Sequence, residues 1–145
     1  MLRLTEILRD ESEHQNTLSL PYEDRQKARL KTRLDDGSEA GLFLPRGTIL
    51  RGGDLLRAEN GIVVKIEAAR EEVSRVVCDE PGNMAKVSYH LGNRHVAVEI
   101  SENWLAYLRD HVLDDMVRGM GFSVSHELSA FEPEAGAYAE HEHAH

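Results

Sequence analysis

Histidine is the residue type of this chain whose spacing could do chemistry, and it is concentrated in two places. Neutral imidazole is the commonest protein ligand for zinc, copper, iron and nickel. His90 and His95 lie five residues apart, with Gly92-Asn93 between them. The end of the chain repeats the residue at every second position, as His141, His143 and His145. Both patterns indicate binding of a divalent metal ion.

Each pattern also has an interpretation without chemistry. Gly and Asn tolerate left-handed backbone and commonly close a helix. His90 would then stay on the helix while His95 leaves its last turn and enters the next element, and histidines at such junctions more often bind nothing. The terminal histidines could be a solvated tail or the remnant of a purification tag. A tag is usually an unbroken run, whereas Glu142 and Ala144 interrupt this one, which favours metal contact in a tail without a preformed cage.

Three other histidines carry weaker signals. His111 follows the candidate helix cap Asp110, where a capping-region side chain is commoner than a metal ligand, although a metal role stays open. His126 falls on the apolar face of a predicted strand, which favours a satisfied core or interface histidine. His14 has no partner in sequence and is expected at the surface.

Composition and charge narrow the function classes. The 145 residues have a formal net charge of -9, which argues against nucleic-acid binding because phosphate recognition needs a basic footprint. One cysteine, Cys78, excludes an internal disulfide. No apolar run is long enough for a membrane span, and the first ten residues lack a signal peptide's apolar core. We therefore expect a cytoplasmic protein that binds neither membrane nor nucleic acid.

The sequence shows no recognisable catalytic motif. It contains no nucleophile–base pair, no phosphate-binding loop and no His-Glu-x-x-His helix. We therefore do not expect an enzyme.

Strand and turn signals fill residues 1–68, where we predict an antiparallel β module. Alternation over residues 25–34 predicts a strand with five cations on one face, namely Arg25, Lys27, Arg29, Lys31 and Arg33. Asp35-Asp36-Gly37 predicts a turn and Asn60-Gly61 a hairpin. We expect the basic face to be a solvated surface that protects a sheet edge. The alternative is a surface that docks an acidic partner or an anionic ligand.

Residues 69–130 alternate strands with helices. We expect a strand at 73–78, a helix capped by Asp79 with Pro81 in its first turn, and strands at 96–100 and 104–108. A second helix capped by Asp110 and a strand at 122–129 complete the order β-α-β-β-α-β, which predicts a ferredoxin-like domain. Residues 131–145 are expected to form an extended, flexible arm with the histidine tail. The predicted fold class is α+β.

These motifs together resemble the UreE family of urease accessory proteins. The resemblance rests on Tyr89-His90-Leu91-Gly92-Asn93-Arg94-His95, on Asp110-His111-Val112-Leu113 with the following Met116 to Gly121, and on residues 131–138 before a His-bearing end. It implies a homodimeric nickel chaperone with a peptide-binding-like N-terminal domain and a ferredoxin-like metal domain. Such a protein passes Ni²⁺ toward apo-urease, in exchange with the accessory GTPase UreG.

The resemblance also implies which residues hold the metal. The family's histidine in the Gly-Asn-Arg-His motif falls on His95, and its auxiliary ligands fall on the histidines of the tail. Some members have a His-x-His pair at the second helix, whereas here Arg109 stands two residues before His111. Many members have longer histidine tails, so a lower capacity is expected here. His90 completes the candidate set.

A single imidazole binds a divalent ion weakly, so the site needs ligands from elsewhere. A twofold dimer would place the His95 of two chains on one axis, and a tethered tail would add imidazoles at high effective concentration. The residues do not select nickel, because the Irving–Williams order favours copper, and zinc or copper could also bind. A general buffer of divalent metals therefore stays open, as does a peptide-binding or chaperone-like adaptor that uses the basic strand face.

Overall fold

Ten strands and three helices make up residues 1–136, the part of the chain that the computed structural model describes. They belong to two units, Met1–Ala69 and the residues from Arg70 onward. None of these helices is long and apolar enough to cross a membrane.

The first unit is a six-stranded sheet with one short helix, α1 (Tyr22–Arg25). Its strands are β1 (Leu2–Leu8), β2 (Asn16–Leu20), β3 (Arg29–Arg33), β4 (Glu39–Phe43), β5 (Leu55–Ala58) and β6 (Val63–Ala68). They are ordered β2-β6-β5-β1-β4-β3. Buried aliphatic side chains from five of the strands form its core, including Leu4, Leu18, Leu42, Leu56, Val64 and Ile66.

Strand direction in this sheet differs in part from the expected antiparallel module. β1 pairs with β4 and β2 with β6 in parallel, while the other three pairs are antiparallel. Alternation of apolar residues shows which face of a strand is buried, but not the direction of its neighbour. The parallel pairs join strands that are far apart in sequence, so no turn motif could reveal them.

The predicted basic strand is wrong at its beginning. Arg25 ends α1 and is fully buried, and its guanidinium donates from Nε to Leu20 O (3.1 Å) and from Nη1 to Leu50 O (3.2 Å). Lys27 lies in the following turn and pairs with Asp24 at 3.0 Å. The strand starts only at Arg29, so three cations rather than five share its exposed face. The alternating pattern of residues 25–34 runs through the end of the helix, the turn and the strand, so it could not show where the strand begins.

Both predicted turns are confirmed. Gly37 follows β3 with φ +91°, and Gly61 joins β5 to β6 with φ +92°. Left-handed backbone of this kind favours glycine because it has no Cβ.

The second unit has the predicted ferredoxin-like arrangement. Its elements are β7 (Arg70–Val77), α2 (Pro81–Asn93), β8 (Glu99–Ile100), β9 (Trp104–Leu108), α3 (His111–Gly119) and β10 (Ser125–Ala130). The strands are ordered β10-β7-β9-β8 and all pair antiparallel. The apolar stripes of the two helices pack on the sheet through Val87 and Leu91 of α2 and Leu113 and Val117 of α3.

Three local predictions for this unit are wrong. Glu80, not Asp79, precedes the first turn of α2, because the residue before a proline is forced into extended backbone and the helix must start at Pro81. The strand expected at 96–100 is reduced to β8, since only its last two residues pair with β9. The strand expected at 122–129 begins at Ser125, and its Leu128 is 63% exposed.

The start of the predicted arm is attached to this unit. Phe131 is fully buried, and the Glu134 N–H donates to Val98 O at 2.8 Å. The Glu132 N–H donates to Glu99 Oε1 at 3.1 Å. The rest of the arm, including the three terminal histidines, lies outside the described residues.

Candidate functional site

The end of α2 is shaped by a Schellman motif that has His95 at its turning point. The helix runs to Asn93, and His95 has φ +60°. The His95 N–H donates to Gly92 O (2.9 Å), and the Val96 N–H donates to Leu91 O (3.2 Å). These two bonds satisfy carbonyl groups that the helix end would leave without partners.

The expected closure at Gly92-Asn93 is therefore wrong, because both residues are helical and the left-handed residue is His95 itself. Leu91 is fully buried, and Val96 packs against the same core. An apolar contact between these two positions commonly accompanies the motif, so core packing, rather than the glycine, sets where the helix stops.

His95 is the only residue other than glycine with positive φ among residues 1–136. Left-handed backbone costs a residue with a Cβ about 1–2 kcal/mol. Such strain is found at functional sites, where the surrounding structure holds it in place. A glycine would close this helix without that cost, so the strained histidine is a candidate for function.

The imidazoles at this end of α2 are accessible. His95 and His90 are both exposed. The ring of His90 lies edge-on to Tyr89, with 5.2 Å between ring centroids and planes 84° apart, and Tyr89 is itself 66% exposed. The rings of Tyr89, His90 and His95 are therefore all accessible at this end of α2.

His111 lies at the N-terminus of a helix, whereas His95 follows the C-terminus of one. It is the first residue of α3 and is exposed. The predicted cap is confirmed, because the Asp110 carboxylate accepts hydrogen bonds from Val112 N (2.8 Å) and Leu113 N (3.2 Å). This leaves the ring of His111 free for another role. His14 is also exposed.

One chain does not assemble these groups into a metal site within the described range. Among residues 1–136, no three His, Cys, Asp or Glu side chains are placed to hold one ion. His90, His95 and His111 are thus single accessible ligands. His141, His143 and His145 cannot be placed, because they lie outside the described residues.

Sequence reasoning missed a buried polar network in the same unit. Asp114 of α3 is 2% exposed; its Oδ1 accepts a hydrogen bond from the Tyr107 hydroxyl, and its Oδ2 lies 2.7 Å from His126 Nε2. The Tyr107 bond is also 2.7 Å long. One signal was available: Asp114 directly follows Leu113 and precedes Val117 by three, so it borders the apolar stripe of α3.

Asp114 is ionised by its surroundings despite its burial. Burial acts to raise the pKa of Asp114, but the polar groups of Ser74, Tyr107 and His126 outweigh it, so the pKa lies below its usual value. The Ser74 hydroxyl is buried nearby without a hydrogen bond of standard geometry. Burial, and then the adjacent Asp114 carboxylate, raise the pKa of Tyr107, which keeps its hydroxyl protonated and donating.

This network accounts for His126 in structural terms. Its ring is satisfied, as expected, although it lies on the outermost strand with 30% of its side chain exposed rather than in the core. Because Nε2 is engaged with Asp114, His126 ties α3 to β10.

Comparison with known families gives matches along nearly the whole chain. The family described as UreE urease accessory protein, N-terminal domain, matches residues 3–69. The family described as UreE urease accessory protein, C-terminal domain, matches residues 71–145.

Individual curated proteins agree with the family match. The chain is 46% identical to the urease accessory protein UreE of Vibrio parahaemolyticus, over 100% of this chain and 99% of that protein. It is 51% identical to the UreE of Citrobacter koseri, over 100% of this chain and 96% of that protein. It is 57% identical to the UreE of Proteus mirabilis, over 84% of this chain and 76% of that protein.

Proposed function

Because the chain belongs to the UreE family, whose members are accessory proteins of urease rather than enzymes, we propose that it binds Ni²⁺ and delivers it to apo-urease. A role in urease maturation follows from the family. Nickel as cargo, and its transfer from this protein, are the proposal.

His95 is the observation that supports nickel binding most directly. Its ring is exposed, and its backbone is strained at a helix end where glycine would fit more easily. Imidazole is a good nickel ligand. The strain is understandable if the direction in which the ring leaves the helix end matters for its role.

We propose that two chains complete the site. A divalent ion needs several ligands, and the described residues of one chain do not offer three together. A twofold axis would bring the same surface of two copies together, so that the His95 of each copy faces the other. Tyr89, exposed beside His90, would be covered by this contact.

In this proposal the arm supplies further ligands. It leaves the unit at Glu134, whose N–H donates to Val98 O. Val98 lies three residues after His95 in sequence. His141 follows Glu134 by seven residues, a distance of at most about 25 Å in extended chain. His141, His143 and His145 would therefore reach an ion near His95, and a tethered ligand acts at high effective concentration. Such an arm can also open to release the ion, with His90 and His111 as secondary ligands.

The partners, and the roles of the two parts of the chain, are proposed from its membership of the family. The GTPase UreG and the apo-urease complex would exchange nickel with the dimer in the cytoplasm. Residues 69–130 with the arm 131–145 would handle the metal, while residues 1–68 would serve contacts with other proteins.

Replacing His95 tests the site directly. Calorimetric titration of metal-stripped protein with nickel should show one tightest site per dimer in the wild type, and His95→Ala should weaken it at least tenfold. His14→Ala is the matched control, because it removes another exposed imidazole and should leave that affinity unchanged. An unaltered tightest site in His95→Ala would refute the assignment.

Deleting residues 139–145 tests the arm. The truncated protein should bind fewer nickel ions or bind them more weakly, while size-exclusion chromatography still shows a dimer. A monomer, or full binding without the tail, would contradict this arrangement. Competition with zinc and copper in the same titrations would distinguish nickel delivery from general metal buffering.

A further inference from the structure

The outer face of the first unit's sheet brings cations from two strands around one glycine. β3 is the last strand of the sheet and pairs antiparallel with β4, so that Lys31 lies opposite Gly41 and Arg29 opposite Phe43. β1 flanks β4 on its other side, with Arg3 opposite Gly41. Directly paired residues share a face of the sheet, so Arg3, Gly41 and Lys31 form one row across it.

A recess lies in this face beside Gly41, where the Phe43 ring and the end of Met1 pack closely over the glycine. A Cβ at Gly41 would lie 2.9 Å from the Phe43 ring and 3.1 Å from the Met1 methyl carbon. The recess has a volume of about 370 Å³, and Arg29 and Lys31 also line it. We call it the Gly41 slot. Its lining is mainly apolar, with Arg29 and Lys31 at its sides.

The cations around the Gly41 slot lack acidic partners. The guanidinium carbons of Arg3 and Arg29 lie 5.0 Å and 5.4 Å from the centroid of the Phe43 ring. Among residues 1–136, no carboxylate pairs with either arginine, and Lys31 has neither an ion pair nor a side-chain hydrogen bond. Arg29 Nη1 donates to Leu44 O at 3.2 Å, but in a chain of net charge -9 three neighbouring cations without a carboxylate partner call for a cause.

Protection of the sheet edge explains only part of this surface. Lysine and arginine on an outermost strand discourage pairing with another sheet, which accounts for β3. Arg3 belongs to β1, two strands in from that edge, where no protection is needed. An apolar recess between the cations does not protect the sheet edge either, because exposed apolar surface favours association with other molecules.

We propose that this face binds an acidic, extended segment of a partner protein, which places one apolar side chain in the Gly41 slot and its carboxylates on Arg3, Arg29 and Lys31. Charge complementarity selects the acidic segment, and the mainly apolar lining of the recess selects an apolar side chain such as leucine. An anionic membrane is a poorer occupant, because surfaces that bind bilayers present protruding apolar side chains rather than a recess. This inference does not depend on nickel.

Fluorescence anisotropy with the full-length protein tests the charges. The probe is a labelled peptide with one leucine between runs of three glutamates. Lys31→Glu should weaken its binding at least tenfold at physiological salt, where charges act over only about 8 Å. Arg9→Glu is the matched control: it makes the same charge change at an exposed residue just beyond the far end of β1, and should alter binding less than twofold.

Two further comparisons test the recess. Replacing the leucine of the peptide with alanine should weaken binding to the wild type severalfold. Gly41→Ala, whose Cβ must displace the Phe43 ring and the Met1 methyl that line the recess, should weaken binding of the leucine peptide but not of the alanine peptide. The proposal is overturned if the wild type does not bind the peptide, if Lys31→Glu and Arg9→Glu weaken binding equally, or if the alanine peptide binds as well. Binding to phosphatidylserine vesicles but not to the peptide would overturn it in favour of a membrane.

Discussion

The end of α2 and the contact between α3 and β10 both present a histidine, but the two regions hold it differently. His126 has its Nε2 2.7 Å from the buried carboxylate of Asp114, and its backbone belongs to a regular strand. His95 has an exposed ring and left-handed backbone at a helix end. One histidine is held by its side chain, while the other is held by its main chain.

The difference shows how a structural histidine is distinguished from a candidate ligand. A ring engaged with a buried carboxylate contributes to the fold, and removing the contact leaves polar groups without partners. A ring whose main chain is fixed but whose nitrogens are free has a defined position and is available to an ion. Spacing in sequence does not separate these cases, since both histidines lie near apolar stretches.

The largest expected effect comes from breaking the Asp114 network. Asp114→Ala leaves the Tyr107 hydroxyl and His126 without their acceptor, and should lower the free energy of unfolding by about 2–4 kcal/mol. Urea denaturation followed by fluorescence of Trp104 reports on this unit, because it is the only tryptophan.

The neighbouring carboxylate provides the control for that experiment. The Asp115 side chain is 75% exposed and pairs with Arg118 at 3.6 Å, so Asp115→Ala should cost less than about 0.5 kcal/mol. Equal losses in the two variants would show that the network is not what holds α3 to the sheet.

Acid should weaken the same network to a smaller extent. The pKa of Asp114 is lower in the folded protein than its ordinary value of 3.8. Below that ordinary value the unfolded chain binds a proton that the folded protein still excludes, so stability is full above it and falls as pH drops toward the folded pKa. Unfolding free energies measured between pH 3 and pH 6 should fall less steeply toward acid in Asp114→Asn than in the wild type. Parallel profiles would contradict a lowered pKa at this residue.

The smallest expected effect is a gain of stability at the other region. His95→Gly removes the left-handed strain at the helix end, and should raise the free energy of unfolding by about 0.5–1 kcal/mol. The same variant should lose the tightest nickel site. His90→Gly, inside the helix, should instead destabilise by about 0.3–0.5 kcal/mol. Loss of stability in His95→Gly would mean that the ring, rather than the backbone, contributes to the fold there.

The amino-acid sequence by itself determined what depends on neighbouring residues. The apolar stripes of α2 and α3, the cap at Asp110, the glycine turns at Gly37 and Gly61, and the β-α-β-β-α-β order were all predicted from local patterns and are confirmed. Their physical causes act over a few residues: the period of a helix or strand, the first N–H groups of a helix, and the freedom of glycine. The histidines of the candidate site could be named in the same way.

Tertiary structure decided everything that depends on a distant partner. Arg25 looked like a surface cation and is buried because carbonyl groups of Leu20 and Leu50 accept its hydrogen bonds. The parallel pairing of β1 with β4, and the contact of Asp114 with His126, join residues that no local pattern relates. Left-handed backbone was expected at Gly92-Asn93 but is found at His95, because packing of Leu91 and Val96 in the core fixes the end of α2. Sequence periodicity specifies which side chains face inward, whereas the partner each one meets there is set by how the whole unit closes around its core.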